Sequence, residues 1–546
     1  MGAFLRSLAL LVGSFVVLVG LHLPLLHLPY FWDEAGYYVP AAWDTYRAWE
    51  LVPTSTMPTG HPPLVMVYLA VGWHLWGCSP FVTRVAMVLI AAATVVATYA
   101  LARRVAEREP ATWGALLLAI SPMFFAQSTL VYLDLPAALF TTLAVLALIT
   151  GRIWLYAATA SLAVLTKETA VVLLPVAWAW ACWQESGSAA PFGPRRVAPA
   201  LPAQEQLPAS KAEAELPRSK EWGQAPPLAW FTQVVPLIPL VIWTFYYHSK
   251  TGFWTGNAEY LEYNLYSTLN PVRVLWSLLR RMYEVFVGGF NWLLVLGAVA
   301  GFWWGKKMGH RGAGTPGLAR CFFWLAGGLI AAYLLMLSVV GGAVLPRYLL
   351  PVFPIFFVSC VALIWRLPRG LARGLCALAA TCFVAAWFIN PPYPFAYENN
   401  LAYADFIRLH QDAAHYLETR PASERILTAW PATDELSRPM LGYVRNPQTT
   451  VHLEGFTGKD FAKVLPHSFD VLYIYSRKWE PEDNWLASFP PFRRAQERHF
   501  GYAPQIRDEA LVSRYHLKLL QQFERRGQWA RIYQKQELRV GSQKSD

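Results

Sequence analysis

The fold is decided by residues 8–28, which read LALLVGSFVVLVGLHLPLLHL, and by the sequence that follows them, Tyr30-Phe31-Trp32-Asp33-Glu34-Ala35-Gly36-Tyr37-Tyr38. The first segment is long enough to span a bilayer, exceeds the core of a signal peptide and lacks a small-x-small cleavage site, so we expect a retained span. The second segment puts two carboxylates where that helix meets the membrane surface. Such acids usually face a protein cavity, although an Asp-Glu pair also occurs as a helix cap or in a solvated loop.

The composition is typical of a polytopic membrane protein. Of the 546 residues, 55% are apolar and only 15% are charged, whereas soluble proteins carry about 25% charged residues. The formal net charge is +11, but the basic residues lie in short clusters beside apolar runs, which indicates membrane orientation rather than nucleic-acid binding. The six cysteines lie in or beside apolar segments, so neither a disulfide framework nor a cysteine-based zinc site is predicted.

Apolar runs predict the other spans, and the basic clusters predict their direction. Lys and Arg gather within residues 103–108, 195–220, 306–320 and 366–373, and such clusters favour the cytoplasmic side. All four reach that side only if the short run 64–77 is interfacial or re-entrant, which gives about eleven spans, the N-terminus inside and the C-terminal region outside. The spans after the first are 80–101, 111–128, 135–150, 153–166, 169–184, 228–247, 283–304, 321–342, 347–365 and 370–390.

This pattern predicts an all-α polytopic membrane domain followed by a small soluble α/β domain. The membrane domain covers residues 1–390, with interfacial helices in the first outer loop and a flexible cytoplasmic loop at 186–226. Residues 249–282 form another outer loop, with a helix at the membrane surface. The extracytoplasmic domain covers 391–546, with an amphipathic helix at Leu401–Thr419 and strands at Arg425–Trp430, Asp470–Tyr475 and Trp529–Tyr533.

The predicted orientation gathers the conspicuous polar residues on the outer face. They are Asp33, Glu34, His61, Asp134, Lys167, Glu168, Arg273, Arg280, Arg281, Arg347 and Tyr348. Carboxylates, cations and aromatic rings at a membrane surface suit glycosyl transfer from a lipid-phosphate sugar. The leaving phosphate is already a good anion and needs cationic stabilisation, whereas the acceptor hydroxyl needs one base. A glycosidase would instead need two carboxylates across the scissile bond.

Five motifs carry a family resemblance. They are the acidic pair after the first span, Gly60-His61-Pro62-Pro63-Leu64, Tyr132-Leu133-Asp134-Leu135-Pro136, Leu165-Thr166-Lys167-Glu168 and Arg347-Tyr348-Leu349-Leu350-Pro351. In this order the motifs resemble the protein O-mannosyltransferases and the lipid A aminoarabinose transferases, over about residues 1–390. These are C-type (GT-C) integral-membrane glycosyltransferases that use polyprenyl- or dolichyl-phosphate sugars. The resemblance implies an inverting transferase that acts on an extracytoplasmic lipid, glycan or protein.

The resemblance also implies roles for individual residues. Asp33 is expected to be the catalytic carboxylate with Glu34 beside it, whereas Asp134, Glu168 and Tyr37 are expected at the sugar or acceptor site. His61 stands where the aminoarabinose transferases have a phosphate-binding lysine, and neutral histidine binds phosphate more weakly. The residues expected to bind the donor phosphate are His61, Lys167, Arg273, Arg280, Arg347 and Tyr348.

Other interpretations remain open. Lys167 and Glu168 could simply cap helices, and Tyr348 could anchor a span at the interface. His22, His27 and His61 could form a metal site, although no metal or other cofactor is predicted. A transporter or lipid flippase would also have an outward-facing polar cavity, but transporters place charges near the bilayer midplane and often show repeats. The partners we expect are a polyprenyl-phosphate sugar, an extracytoplasmic acceptor and the bilayer of a bacterial inner membrane, without nucleic acid.

Overall fold

The computed structural model describes residues 2–189, 232–257, 261, 269–308, 316–340, 343–389, 398–477, 488–500 and 503–536. The predicted cytoplasmic loop 186–226 lies almost entirely outside these residues. The helices up to residue 389 are α1 (Gly2–His22), α2 (Val39–Ala48), α3 (Leu64–Trp76), α4 (Pro80–Val105), α5 (Arg108–Ile120), α6 (Pro122–Gln127), α7 (Asp134–Ile149), α8 (Ile153–Thr166), α9 (Leu173–Ala189), α10 (Leu237–Thr251), α11 (Pro271–Phe286), α12 (Asn291–Lys307), α13 (Pro316–Val339), α14 (Phe353–Ile364) and α15 (Arg369–Ala386).

Several of these helices have the length and composition of membrane spans. Within the described residues six segments qualify, namely Leu5–Leu25, Pro80–Val105, Pro271–Lys307, Cys321–Val339, Pro346–Ile364 and Arg369–Ala386. Four shorter apolar helices accompany them, at Leu64–Trp76, Asp134–Ile149, Ile153–Thr166 and Glu168–Trp183. The prediction of a polytopic, mainly helical membrane domain is therefore confirmed, while the number of about eleven spans stays a prediction.

Burial distinguishes central from peripheral helices. In the segment Pro346–Ile364, 78% of the apolar window is buried inside the protein, against 17% in Leu5–Leu25. The former lies in the middle of the bundle, whereas the latter turns most of its surface outward, where lipid would cover it. Arg347 and Tyr348 stand at the beginning of this central segment, so their side chains are held by a well-packed scaffold.

The C-terminal described part is a small α/β unit. Helix α16 (Ala402–Glu418) precedes a five-stranded sheet of order β2-β1-β3-β5-β4. The strands are β1 (Ile426–Ala429), β2 (Thr450–Leu453), β3 (Val471–Tyr475), β4 (Leu517–Arg525) and β5 (Gln528–Lys535). Strands β2, β1 and β3 are parallel, and β5 is antiparallel to both β3 and β4. The predicted amphipathic helix and the three predicted strands are confirmed, because alternating or continuous apolar patterns marked each of them.

The shorter helices of this unit connect the strands. They are α17 (Ala432–Ser437), α18 (Gly458–Ala462), α19 (Pro490–Phe500) and α20 (Asp508–Tyr515). All four residues of β1 are buried, as expected for a strand covered on both faces.

The α/β unit packs on the chain that follows α1. Tyr443 donates its hydroxyl hydrogen to the main-chain oxygen of Tyr30 at 2.9 Å, and the Tyr30 amide donates to the Leu441 carbonyl at 3.3 Å. The indole of Trp430 lies so close to Gly36 that a Cβ atom there would be 2.2 Å from its Nε1. Residues of the α/β unit therefore lie directly against the segment that carries the acidic pair.

Candidate active site

The segment that carries the acidic pair has an unusual backbone. Trp32 has a positive φ of 47°, a conformation that costs free energy in a non-glycine residue. A π-helical turn then runs over Glu34–Tyr38, a rare structure that is often found at functional sites. The neighbouring carboxylates of Asp33 and Glu34 reach different partners in this segment, because adjacent residues on a helical turn point in different directions.

Asp33 belongs to a cluster built around Arg347. The guanidinium of Arg347, whose side chain is 1% exposed, forms ion pairs with three carboxylates: Asp33, Asp134 at 3.4 Å and Glu398. Its Cζ lies 3.8 Å from the centre of the Tyr132 ring, where the ring face attracts a cation. The Asp33 side chain is 19% exposed, the highest value among the three acids. It is therefore the carboxylate of this cluster that an incoming molecule reaches most easily.

The hairpin of α7 and α8 brings a second cation to the cluster. Asp134 is the first residue of α7 and Lys167 is the C-cap of α8. A short turn joins the two antiparallel helices, so these residues meet at the same end of the hairpin. Lys167 Nζ lies 2.7 Å from Asp134 Oδ1 and 3.8 Å from the centre of the Tyr348 ring. The helix ends also favour an anion at the start of α7 and a cation at the end of α8.

His61 and Glu168 form a separate pair beside this cluster. The Nδ1 atom of His61 lies 2.8 Å from Glu168 Oε2. The His61 ring is 6.3 Å from the ring of Tyr38, which in turn contacts Tyr132 at 5.9 Å. Aromatic side chains thus connect the His61 pair to the Arg347 cluster, although His61 is engaged by a carboxylate in this structure.

Glu34 points into a different environment. Its carboxylate pairs with Arg84, with Oε1 3.1 Å from Nη1, and both side chains are fully buried. The amides of Phe31 and Val131 donate to its two oxygens at 2.7 and 2.6 Å. Glu34 is predicted to be a catalytic residue beside Asp33; in the structure Arg84 and the two amides engage both its oxygens, and a catalytic role for Glu34 stays a prediction.

Helix α11 presents one buried polar face. Arg273, Ser277, Arg281 and Glu284 are buried at spacings of three or four residues, which puts them on the same side of the helix. Arg281 is 1% exposed, and none of its three guanidinium nitrogens has a hydrogen-bond partner in the described part of the chain. Tyr348 and Asp134 are among the groups that act on it electrostatically. The expected phosphate ligands Arg273 and Arg280 lie on this helix, with Arg280 only half-buried.

The remaining predicted residues have other surroundings. The ring of Tyr37 lies 5.5 Å from that of Trp430, a residue of the α/β unit. The ring nitrogens of His22 lie 2.8 and 3.0 Å from the carbonyl oxygens of Leu18 and Phe125, and His27 stacks on Phe81. Among the described residues, no group of three or more His, Cys, Asp or Glu side chains is arranged to hold a metal ion.

Comparisons with known proteins add to this geometry. Residues 60–191 match the family described as dolichyl-phosphate-mannose-protein mannosyltransferase. ArnT from Cupriavidus metallidurans bound to undecaprenyl phosphate is similar over 97% of this chain and 98% of that chain, with a TM-score of 0.51 and 14% identity. The chain has the GT-C glycosyltransferase fold. The predicted resemblance is thus confirmed, and so is the prediction of a glycosyltransferase at the level of fold and family match.

Other GT-C structures were found as well. ArnT from Cupriavidus metallidurans in the apo state matches with a TM-score of 0.51 and 15% identity, covering 82% of this chain and 85% of that chain. The archaeal oligosaccharyltransferase AglB from Archaeoglobus fulgidus, in complex with an inhibitory peptide and a dolichol-phosphate, has a TM-score of 0.45 and 12% identity over 86% of this chain and 69% of that chain. A comparison with curated protein sequences finds no match.

Sequence reasoning missed Glu398 and Arg84. Arg84 is an ionisable residue inside the predicted span 80–101, and a charge in such a position requires a partner, so the signal was present. Glu398 follows the last predicted span on the outer side, where the same orientation argument places Asp33. It was grouped with the soluble region because the composition changes just before it.

Proposed function

We propose that this GT-C protein is an inverting glycosyltransferase that moves a sugar from a polyprenyl-phosphate donor to an extracytoplasmic acceptor. The observation that carries the proposal is the partly exposed Asp33 carboxylate held by Arg347 within a cluster of buried cations, acids and aromatic rings. Two charged residues of this cluster lie at helix ends, Asp134 at the start of α7 and Lys167 at the end of α8. A transporter would instead place them near the bilayer midplane.

The donor phosphate binds the cationic and aromatic side of the cluster. Lys167 and Tyr348 contact each other there, and Arg347 joins them from the base of the central segment. Arg281 strengthens the assignment, because a buried guanidinium with no hydrogen-bond partner among the described residues attracts an anion. Arg273 and Arg280 lie on the same helix and add positive charge, and His61, paired with Glu168 beside the cluster, is the remaining predicted phosphate ligand.

Asp33 acts as the general base. It accepts the proton of the acceptor hydroxyl while the acceptor oxygen attacks the anomeric carbon of the sugar, and the bond from that carbon to the phosphate oxygen breaks. The electron pair of that bond leaves with the polyprenyl phosphate, whose negative charge the cations stabilise. One displacement inverts the anomeric configuration. Asp134 and Glu168 border the sugar, while Glu34 holds the π-helical turn through Arg84.

The acceptor approaches from the side of the soluble unit. Trp430 of this unit lies against Gly36 and within 5.5 Å of the Tyr37 ring, so the two parts of the chain together border the approach to Asp33. We propose the division at residues 390 and 391, a bacterial inner membrane as the location, and the extracytoplasmic side for the soluble unit.

The Asp33→Asn variant tests this function. Purified protein in vesicles receives a membrane extract that supplies both the polyprenyl-phosphate sugars and the acceptors, and release of free polyprenyl phosphate is measured. Loss of the base should lower turnover by about 100-fold or more without changing the thermal unfolding temperature by more than a few degrees. Asp412→Asn, which removes a carboxylate paired with Arg525 on the surface of the soluble unit, is the control. Unchanged turnover in Asp33→Asn would exclude Asp33 as the base.

A further inference from the structure

The Arg347 cluster contains more negative than positive side chains. Asp33, Asp134 and Glu398 surround Arg347, and Lys167 is the second cation in contact with these acids. A lipid-phosphate donor brings one more negative charge to the same place. Because like charges in a poorly solvated site repel strongly, the arriving phosphate most destabilises the charged form of the carboxylate with the fewest cations around it, although Arg281 adds positive charge near Asp134.

The contacts identify Glu398 as that carboxylate. Asp134 is compensated by two cations, Lys167 and Arg347, and Asp33 is the most exposed of the three acids. Glu398 pairs with Arg347 alone, its side chain is 9% exposed, and the Tyr132 hydroxyl lies 3.4 Å from its other oxygen. Burial, reinforced by the nearby charges of Asp33 and Asp134 and opposed by Arg347, raises the pKa of Glu398 to about 7.

The groups that surround Glu398 come from several parts of the chain. The segment Pro346–Val352 contributes Arg347 and Tyr348, the chain entering α7 contributes Tyr132 and Asp134, and Asp33 pairs with Nη2 of Arg347. The Glu398 backbone is fixed, because the side-chain amide of Gln127 donates to its carbonyl at 3.0 Å. The anchored backbone keeps the carboxyl group beside Arg347, so protonation relieves the repulsion with little movement.

We propose that Glu398 takes up one proton from solvent when the donor phosphate binds, which frees the Nη1 side of Arg347 for the phosphate. The one bond formed in this step is the O–H bond of the Glu398 carboxyl group, whose proton comes from solvent, and the ion pair with Arg347 is replaced by one between Arg347 and the phosphate. Glu398 is thus a positioning residue that acts through Arg347. The inference rests on the proposed function, since it needs the donor phosphate at Arg347.

Calorimetric proton counting tests the coupling. The probe is undecaprenyl methyl phosphate, a phosphodiester without a sugar whose single charge does not change between pH 6 and pH 8. Binding to the full chain in detergent is measured in buffers of different ionisation enthalpy, so that the proton uptake is obtained directly. We expect about one proton taken up per bound probe at pH 8 and about 0.1 at pH 6, with an affinity that falls about tenfold per pH unit above pH 8.

Two variants identify the group that takes up the proton. Glu398→Gln should bind the probe with no proton uptake and with a nearly pH-independent affinity, whereas Glu109→Gln, on the surface ion pair with Arg373, should behave as the unchanged protein. Binding of the probe to the unchanged protein without proton uptake, or persistent uptake in Glu398→Gln, would overturn the inference while leaving the proposed function standing. No binding at any pH would overturn both.

Discussion

Asp33 and Glu34 are neighbours in sequence but belong to two different kinds of ion pair. Glu34 and Arg84 are fully buried, and the Glu34 oxygens also accept hydrogen bonds from two amides. The Arg347 cluster, which contains Asp33, is partly exposed, and its three carboxylates share one guanidinium. A closed pair with all its partners in place stabilises one backbone conformation, whereas an open cluster with surplus charge is suited to bind and release a charged ligand.

Breaking the closed pair should have the largest effect on stability. Glu34→Ala leaves the Arg84 guanidinium without its carboxylate and leaves the amides of Phe31 and Val131 without acceptors. Removal of one partner of a buried pair costs about 3–5 kcal/mol, so we expect a much lower thermal unfolding temperature and poor yield. Size-exclusion chromatography after heating measures this change.

A double variant separates charge from shape at the same pair. Glu34→Gln combined with Arg84→Met removes both charges and should recover part of the stability, because exchange of a buried pair for uncharged side chains is often tolerated. Glu109→Gln, at an exposed pair, should change stability little. If Glu34→Ala unfolded at the normal temperature but lost turnover, Glu34 would belong to the catalytic group after all.

The surplus negative charge of the open cluster should make the stability of the protein depend on pH. The pKa of Glu398 is raised to about 7 in the folded protein, above its value in the unfolded chain, so the folded state binds the proton more tightly. Its contribution is fully present below about pH 4.5 and is lost as the pH rises to about 7, a change of about 3 kcal/mol. The unfolding temperature of the unchanged protein should therefore fall relative to Glu398→Gln between pH 5 and pH 7.5.

Two outcomes would contradict this assignment. A constant difference between the unchanged protein and Glu398→Gln across this pH range would mean that Glu398 keeps its charge in the folded state. A difference that grows in the opposite direction would mean that Arg347 stabilises the charged form more than burial destabilises it. The same measurement on Glu109→Gln corrects for general effects of pH on the protein and detergent.

The π-helical turn that begins at Glu34 makes a close contact with the α/β unit. Gly36→Ala would place a Cβ atom 2.2 Å from Nε1 of Trp430, so the indole or the turn must move. Overpacking of this kind costs about 1–3 kcal/mol, and turnover should fall as Asp33 is displaced. Gly72→Ala on α3, where nothing lies within 4 Å of the added atom, is the control. Equal turnover in both variants would show that Trp430 moves freely away from the turn.

The sequence predicted the helical membrane fold better than the contacts of the site. Apolar runs and basic clusters depend on local composition, so the predicted spans, the amphipathic helix and the strands could be recognised one segment at a time. Residues such as Asp134 and Lys167 could be assigned to one face because they stand at helix ends. The ion pairs of Glu34 with Arg84 and of Glu398 with Arg347 could not be predicted, because the partners are distant in sequence and only the folded chain brings them together.

The smallest effect is expected from the contact with Tyr348 that holds Lys167 in the open cluster. Its ammonium group lies 3.8 Å from the centre of the Tyr348 ring, and a desolvated cation–π contact is worth about 1–2 kcal/mol. Tyr348→Leu should therefore raise the donor concentration for half-maximal turnover by about 5- to 30-fold, whereas Tyr348→Phe keeps the ring and should change it less.

An exposed contact of the same type provides the control. Lys250 lies 5.9 Å from the centre of the Tyr246 ring, and Tyr246→Leu should leave the donor dependence unchanged because water solvates that ammonium group. If Tyr348→Phe and Tyr348→Leu impaired donor use equally, the Tyr348 hydroxyl rather than its ring would be the group that matters. That result would make Tyr348 a direct hydrogen-bond donor to the phosphate instead of a support for Lys167, and the open cluster would then gain a neutral donor beside its cations.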